Sequence, residues 1–313
     1  MERVAGGKAT MPASDVLISL REKTLDAVSG SDGARSLNPS ASPAGPLAAP
    51  GASPRHEDPA GEILGLLRQV FASGLADHGE SVDYAALHGS PLFHEFRRCA
   101  ANLRAFDPAA LPDRDARLAF WINLYNTLVL DGVIALGVQR SVMERRAGLA
   151  FFRQAAYVVG GLRVSCDDIE HGILRANRGH PYFPGKQFGS PDPRLAWVIQ
   201  PMEARIHFAL NCASGSCPPL RAYAPEKLGS QLDLAARNFL AADVQILPDA
   251  RALRLSAIFK WFAEDFGGRQ GVIDFLLAHL PQGEDLRWLS GHRDRVSLRY
   301  KPYDWGLNSK DSP

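Results

Sequence analysis

The run from Asp113 to Gly137 constrains this chain more than any other stretch. Its centre, AFWINLYNTLVLDGVIALG, is apolar on nearly every side. A helix of that kind offers no face to water, so the rest of the chain must cover it. A run near 20 residues also meets the length a bilayer requires. Asn123, Asn126, Thr127 and Asp131 argue for a protein interior, and no membrane span is expected. Asn123, Thr127 and Asp131 recur at every fourth residue and form one polar stripe, with Asn126 beside it. A buried amide left unpaired costs about 1–3 kcal/mol, so this stripe needs partners from neighbouring loops or from a site. The expected architecture is one buried central helix, about 115–137, inside a mostly helical fold.

Flanking segments fill in the class. Glu62–Leu75, Leu92–Leu103, Pro225–Ala242, Ala257–Phe266 and Val272–Leu280 carry apolar residues at helical spacing. Tyr157–Val164 reads as a hairpin turning on Gly160-Gly161, since paired glycines tolerate the positive φ of a tight turn. Val244–Leu247 and Ala252–Leu255 read as a second hairpin, and Val296–Tyr300 as a last strand. Ser165 with Asp168 forms a capping box that opens a helix over 166–177. Arg205–Leu210 alternates as a strand would. Strands arriving as hairpins, with no alternating βαβ units, make the class α+β with a small antiparallel sheet. Residues 31–59 are dense in Pro, Ala, Ser and Gly and cannot bury enough apolar surface to offset their ordering entropy. Residues 1–60 are therefore expected as a disordered extension containing at most a short amphipathic helix (Val16, Leu17, Leu20, Val28). A single globular domain follows over 61–308, with 309–313 as a tail.

A formal net charge of +1 and no clustered basic face predict no nucleic-acid partner. Four cysteines at irregular spacing make no disulfide framework, and no basic, apolar leader opens the sequence, so a reducing, cytoplasmic setting is expected. A mis-assigned start would make it periplasmic.

Chemistry concentrates in RIHFALNCASGSCPPL, residues 205–220, where an apolar run meets Cys212 and Cys217. Cys212 as a nucleophile needs a base. His207 is close in sequence, but in an extended strand it faces away from Cys212. His171 is free of that restriction, with Glu170 or Asp168 to orient it, and Arg175 shares its helical face. Main-chain N–H groups of 213–216 would form an oxyanion hole, with Asn123 or Asn126 adding a donor. The Cys-x4-Cys spacing lacks a second ligand pair for zinc and lacks the Cys-x-x-Cys geometry of a redox motif. No metal or cofactor is expected.

FWINLYN at 120–126, SCDDIEHGILR at 165–175, RIHFALNCASGSCPPL at 205–220, IFKWFAEDF at 258–266 and YDWGLN at 303–308 occur in that order. Together they resemble the domain of unknown function 547 family over roughly 62–308. The resemblance implies a fold and no established activity. It also implies that Cys212 is the steadier of the two cysteines. The functional expectation is a thiol-dependent hydrolase or acyltransferase acting on a small molecule or peptide. Cys212, His171 and Glu170 would be catalytic, and Asn123, Asn126, His207, Ser214, Arg175 and Cys217 supporting. The alternative is a non-catalytic binding or scaffold module in which the same polar cluster is structural.

Overall fold

The computed structural model describes residues 12–31, 33, 35–39, 58–73, 76–77, 79–144 and 146–310. The central helix runs Arg114–Ala135, and its first turn is capped by the Asp113 carboxylate, which accepts from the Ala116 N–H at 2.8 Å. Residues 118–133 of it are buried without a break. The helix is long and apolar enough to cross a membrane, yet here the protein itself buries it. Helices Pro59–Ala72 and Pro91–Asn102 cover one side, and the latter starts on a Ser90 cap with Pro91 at its first position. These elements share one apolar cluster that includes Trp121, Tyr125 and Tyr157. A second cluster, built on Phe208, Phe259 and Val272, lies under a three-stranded sheet.

The α+β, mostly helical reading holds. Ala156–Val159 pairs antiparallel with Leu162–Ser165 across Gly160 and Gly161, both at positive φ. Gln245–Leu247 pairs antiparallel with Ala252–Leu255. Ser297–Tyr300, however, joins Ala252–Leu255 in parallel, so this sheet is mixed and not wholly built from hairpins. Helices Gly268–His279 and Glu284–His292 lie between the two strands and supply the crossover a parallel pair needs.

The expected strand at 205–210 is instead a 3₁₀ turn, Ala204–Phe208, opened by the Glu203 carboxylate accepting from the Arg205 N–H. The alternation misled because the segment is buried on all sides: Ile206 and Leu210 enter the first cluster and Phe208 the second. Periodicity cannot separate helix from strand in a fully buried run.

The short helix expected within the N-terminal extension is present, and it docks on the rest of the chain. Ala13–Ser29 is a helix, held by Arg153 pairing with Glu22 and Asp26, both at 2.7 Å. Asn38 is buried, donating to the carbonyls of Ala100 and Val158 and accepting from the Val158 N–H. The helix presents its charged side to the protein and leaves Val16, Leu17, Leu20 and Val28 exposed. Residues 1–11, 32, 34, 40–57 and 311–313 of the expected extension and tail lie outside the described residues.

Candidate functional site

Residues from both apolar clusters meet around one cleft. The 165–177 segment forms its first wall. Ser165 and Asp168 close the expected capping box, each side chain accepting from the other's main-chain N–H at 3.0–3.1 Å. The turns that follow are wound as a π-helix, Asp168–Leu174, and continue with i→i+5 bonds from Arg175 N–H to the Glu170 carbonyl and from Asn177 N–H to that of Gly172. Such wide turns are rare and recur at functional sites. Gly172 fits because the ring of Phe188 lies where a Cβ would stand.

His171 is buried on this turn, and its Nδ1 faces Arg175 Nη1 at 3.1 Å and Glu170 Oε1 at 3.9 Å. Arg175 can only donate, so it fixes His171 Nδ1 as an acceptor. Burial, then His180 and Arg175, hold the His171 pKa well below its usual range. Glu170 accepts from Tyr125 Oη at 3.0 Å. Burial pushes its carboxyl up to about 6 against the pull of Arg175 and Tyr125. Asp167, on the same wall, is pushed up to about 8, chiefly by burial.

His207 lies on the opposite side, stacked on Phe262 with ring centroids 4.1 Å apart. Its Nε2 meets Asp265 Oδ2 at 2.9 Å. Asp265 also takes Arg175 at 2.5 and 3.2 Å and Arg178 at 3.2 Å. Burial opposes ionisation of Asp265, but the His207 and Arg175 hydrogen bonds prevail and hold its pKa at about 2. Among the described residues no protein group bonds His207 Nδ1, which leaves that nitrogen available on a ring that lines the cleft.

The sulfur loop forms the third wall. Cys212 and Cys217 are joined as a disulfide, and both are half-buried. Asn126 fixes the loop's start, donating to the Ala209 carbonyl at 3.0 Å and accepting from the Asn211 N–H at 2.8 Å. Asn211 in turn accepts from the Ala213 N–H and donates to the Pro218 carbonyl. Tyr303 Oη stands 3.5 Å from Cys212 Sγ and 3.3 Å from Cys217 Sγ, and Ser214 Oγ 3.2 and 3.3 Å from the same atoms. Trp261, Tyr303 and Trp305 pack together along the remaining side. The cleft encloses a cavity of about 120 Å³, smaller than the roughly 300–1,000 Å³ of sites for drug-sized ligands.

The structure brings Cys212, Cys217, His171, His207 and Glu170 to this cleft. It does not bring Asn123 or Asn126. Asn123 is fully engaged with the main chain of Tyr223, donating at 2.7 Å and accepting at 2.9 Å, as Asn126 is with 209–211. Ser214 sits behind the sulfurs, bridged to Leu307, and Arg175 works through Asp265 and His171. Three of the four main-chain N–H groups expected to form an oxyanion hole are turned to other partners. The N–H groups of Ala213, Gly215 and Ser216 are committed to Asn211, Gly306 and Asp304. Among the described residues no group of three or more ligands could hold a metal.

Sequence reasoning missed Asp265 as the partner of His207, and Tyr125, His180 and Tyr303 as cleft residues. FWINLYN, IFKWFAEDF and YDWGLN carried three of these four, Tyr125, Asp265 and Tyr303, but no spacing tied them to Cys212. The π-turn had no visible signal, because its ladder of charged residues looks the same on an α-helix.

No curated protein and no solved structure matches the chain. A family model described as "Protein of unknown function, DUF547" matches residues 108–240. That span contains the central helix, the π-turn and the sulfur loop, whereas Asp265 and Tyr303 reach the cleft from beyond it. Residues 108–240 of this chain are a DUF547 family domain.

Proposed function

We propose that the cleft is a thiol active site for hydrolysis or acyl transfer on a small molecule or peptide, with reduced Cys212 as nucleophile. The observation that carries this reading is that Cys212 shares one cleft with an imidazole, His207, whose far nitrogen is held by a buried carboxylate, Asp265. A thiol needs a neighbouring base to react at neutral pH, and a carboxylate behind the imidazole orients it. His207 suits the role of base better than His171. Arg175 donates to His171 and disfavours a proton there, while Asp265 favours one on His207. Glu170 and His171 would then contact substrate. Tyr303 Oη, 3.5 Å from Cys212 Sγ, is a donor for a developing oxyanion.

The test is alkylation of the pre-reduced protein by iodoacetamide across pH 5–10, followed by an electrophilic ester probe. The reading expects Cys212 to react as a thiol of pKa well below the ordinary ~8.5 and to form a thioester. It also expects His207→Gln to slow labelling at pH 7 by about 100-fold. Ordinary thiol behaviour with no thioester would leave the scaffold alternative standing.

A further inference from the structure

The sulfur pair carries a second assignment, which uses the same cleft but does not need the acyl-transfer reading to be right. We propose that Cys212–Cys217 is an exchangeable redox centre, opened by a dithiol, in which Cys217 is the leaving sulfur and Cys212 the sulfur attacked.

The asymmetry lies in what surrounds each atom. Cys217 Sγ accepts the Cys212 N–H at 2.9 Å and lies 3.3 Å from each of Ser214 Oγ and Tyr303 Oη. Cys212 Sγ has the two hydroxyls, at 3.2 and 3.5 Å, and, among the described residues, no main-chain N–H. A thiolate is stabilised by the donors aimed at it, and the sulfur with the better-stabilised thiolate leaves faster. Tyr303 can serve as such a donor because burial raises its pKa and keeps the hydroxyl protonated. Both sulfurs line the cleft, so a small thiol can reach them without unfolding the protein. Cys99 and Cys166 are free but buried, and burial pushes the Cys99 thiol up to about 12, so neither competes for the exchange.

The steps balance as follows. One thiolate of the dithiol attacks Cys212 Sγ, and the Cys212–Cys217 bond breaks with its electron pair going to Cys217. The second thiol of the reductant loses its proton and attacks its partner sulfur, breaking the mixed disulfide and releasing Cys212 as a thiolate. The two protons lost by the dithiol end on Cys212 and Cys217. The protein gains two electrons and two protons, and the dithiol is oxidised to a cyclic disulfide.

The full chain, without denaturant, is equilibrated in mixtures of reduced and oxidised dithiothreitol, quenched in acid and alkylated for mass mapping. Reversible labelling of Cys212 and Cys217 together, with Cys99 and Cys166 unlabelled, is the expected result. Labelling that appears only after unfolding overturns the proposal. A brief pulse of glutathione, which lacks a second thiol, is expected to leave glutathione on Cys212. Glutathione found mainly on Cys217 overturns the assigned polarity. Tyr303→Phe is expected to slow opening about tenfold, as loss of one hydrogen bond to a charged group predicts. An unchanged rate removes Tyr303 from the leaving-group cage. Thioester formation by the pre-reduced protein reads the acyl-transfer site separately, so either result can fail alone.

Discussion

Asp131 and Asp265 are both buried aspartates bonded to arginine, yet they have opposite fates. Asp131, on the central helix, takes a two-pronged contact from Arg97 Nη1 at 2.7 and 2.9 Å and a bond from Tyr157 Oη at 2.7 Å. Burial still outweighs these partners and raises its pKa. Asp265 has two arginines and an imidazole, and its pKa falls to about 2. The number of cationic and hydrogen-bonding partners set against burial decides the direction of the shift. Position decides the use. Asp131 is enclosed by core side chains, whereas Asp265 stands one imidazole away from a cleft. A buried ion pair is thus no sign of a site until one of its members faces space that a ligand can enter.

The largest expected effect tests that distinction. Removing one partner from a buried charge cluster costs about 3–5 kcal/mol, because the remaining charges are stranded. Asp265→Ala and Asp131→Ala should each lose stability of that order in urea unfolding. Only Asp265→Ala should also change the pH profile of Cys212 alkylation in the reduced protein. Equal profiles in the two variants would mean that Asp265 is as remote from the chemistry as Asp131.

The two aspartates should also differ in sign on the acid side. Asp265 has a depressed folded pKa, so its stabilisation is present above the unfolded value near 3.9 and is lost as pH falls toward about 2. That loss is on the order of 2 kcal/mol. Asp131 has a raised folded pKa, so its contribution is full below ~3.9 and is lost as pH rises through its folded value. Asp265→Asn should flatten the decline in stability between pH 4 and 2, and Asp131→Asn should remove a loss of stability that sets in as pH rises above ~3.9. Histidines act at higher pH. His171, His207 and His180 all have lowered pKa values, first through burial, with His180 at about 4. Their stabilisation is present above ~6.5 and declines as pH falls below it. His180→Gln should therefore reduce the slope between pH 6.5 and 4. A variant with the wild-type slope would show that His180 titrates alike in both states.

How much of this was legible depended on whether the signal was local. The central helix, the capping box at Ser165 and the Gly160-Gly161 turn rest on neighbours in sequence, and all three were readable. The 3₁₀ turn at 204–208 was not, because Ile206 and Phe208 serve different clusters and alternation meant two cores, not two faces of one sheet. Cys212 was singled out from its loop, and the structure has it lining one cleft with His171. Both His171 and His207 line the cleft, and one argument that set His207 behind His171 does not apply to the structure. It relied on strand parity in a segment that is a 3₁₀ turn, and the partner of His207, Asp265, lies 58 residues away where no local pattern reveals it.

Asn126 offers a smaller test of how the sulfur loop is held. Asn126→Ala removes two buried hydrogen bonds to 209–211 and should cost about 1–3 kcal/mol. Amide exchange should quicken at Asn211 and Ala213 more than in the 156–165 hairpin. Uniform acceleration would mean that the variant only lowers global stability.

The smallest expected difference sets one substitution in both regions. Tyr157 donates to Asp131 in the core, and Tyr125 donates to Glu170 at the cleft. Each Tyr→Phe change removes one hydroxyl donor. At Asp131 nothing can replace it, so Tyr157→Phe should cost about 1–3 kcal/mol, the penalty for an under-satisfied buried group. Glu170 is half-buried and lines the cleft, so water can take the vacated position. Tyr125→Phe should cost only about 0.5–1 kcal/mol. It should also raise the Glu170 pKa above its present value of about 6, since the Tyr125 bond now lowers it. Carboxyl-carbon NMR titration with paired urea unfolding measures both quantities. Equal costs in the two variants would mean that the Glu170 side of the cleft is as closed to water as the core around Asp131, and that a substrate cannot approach the site from this wall.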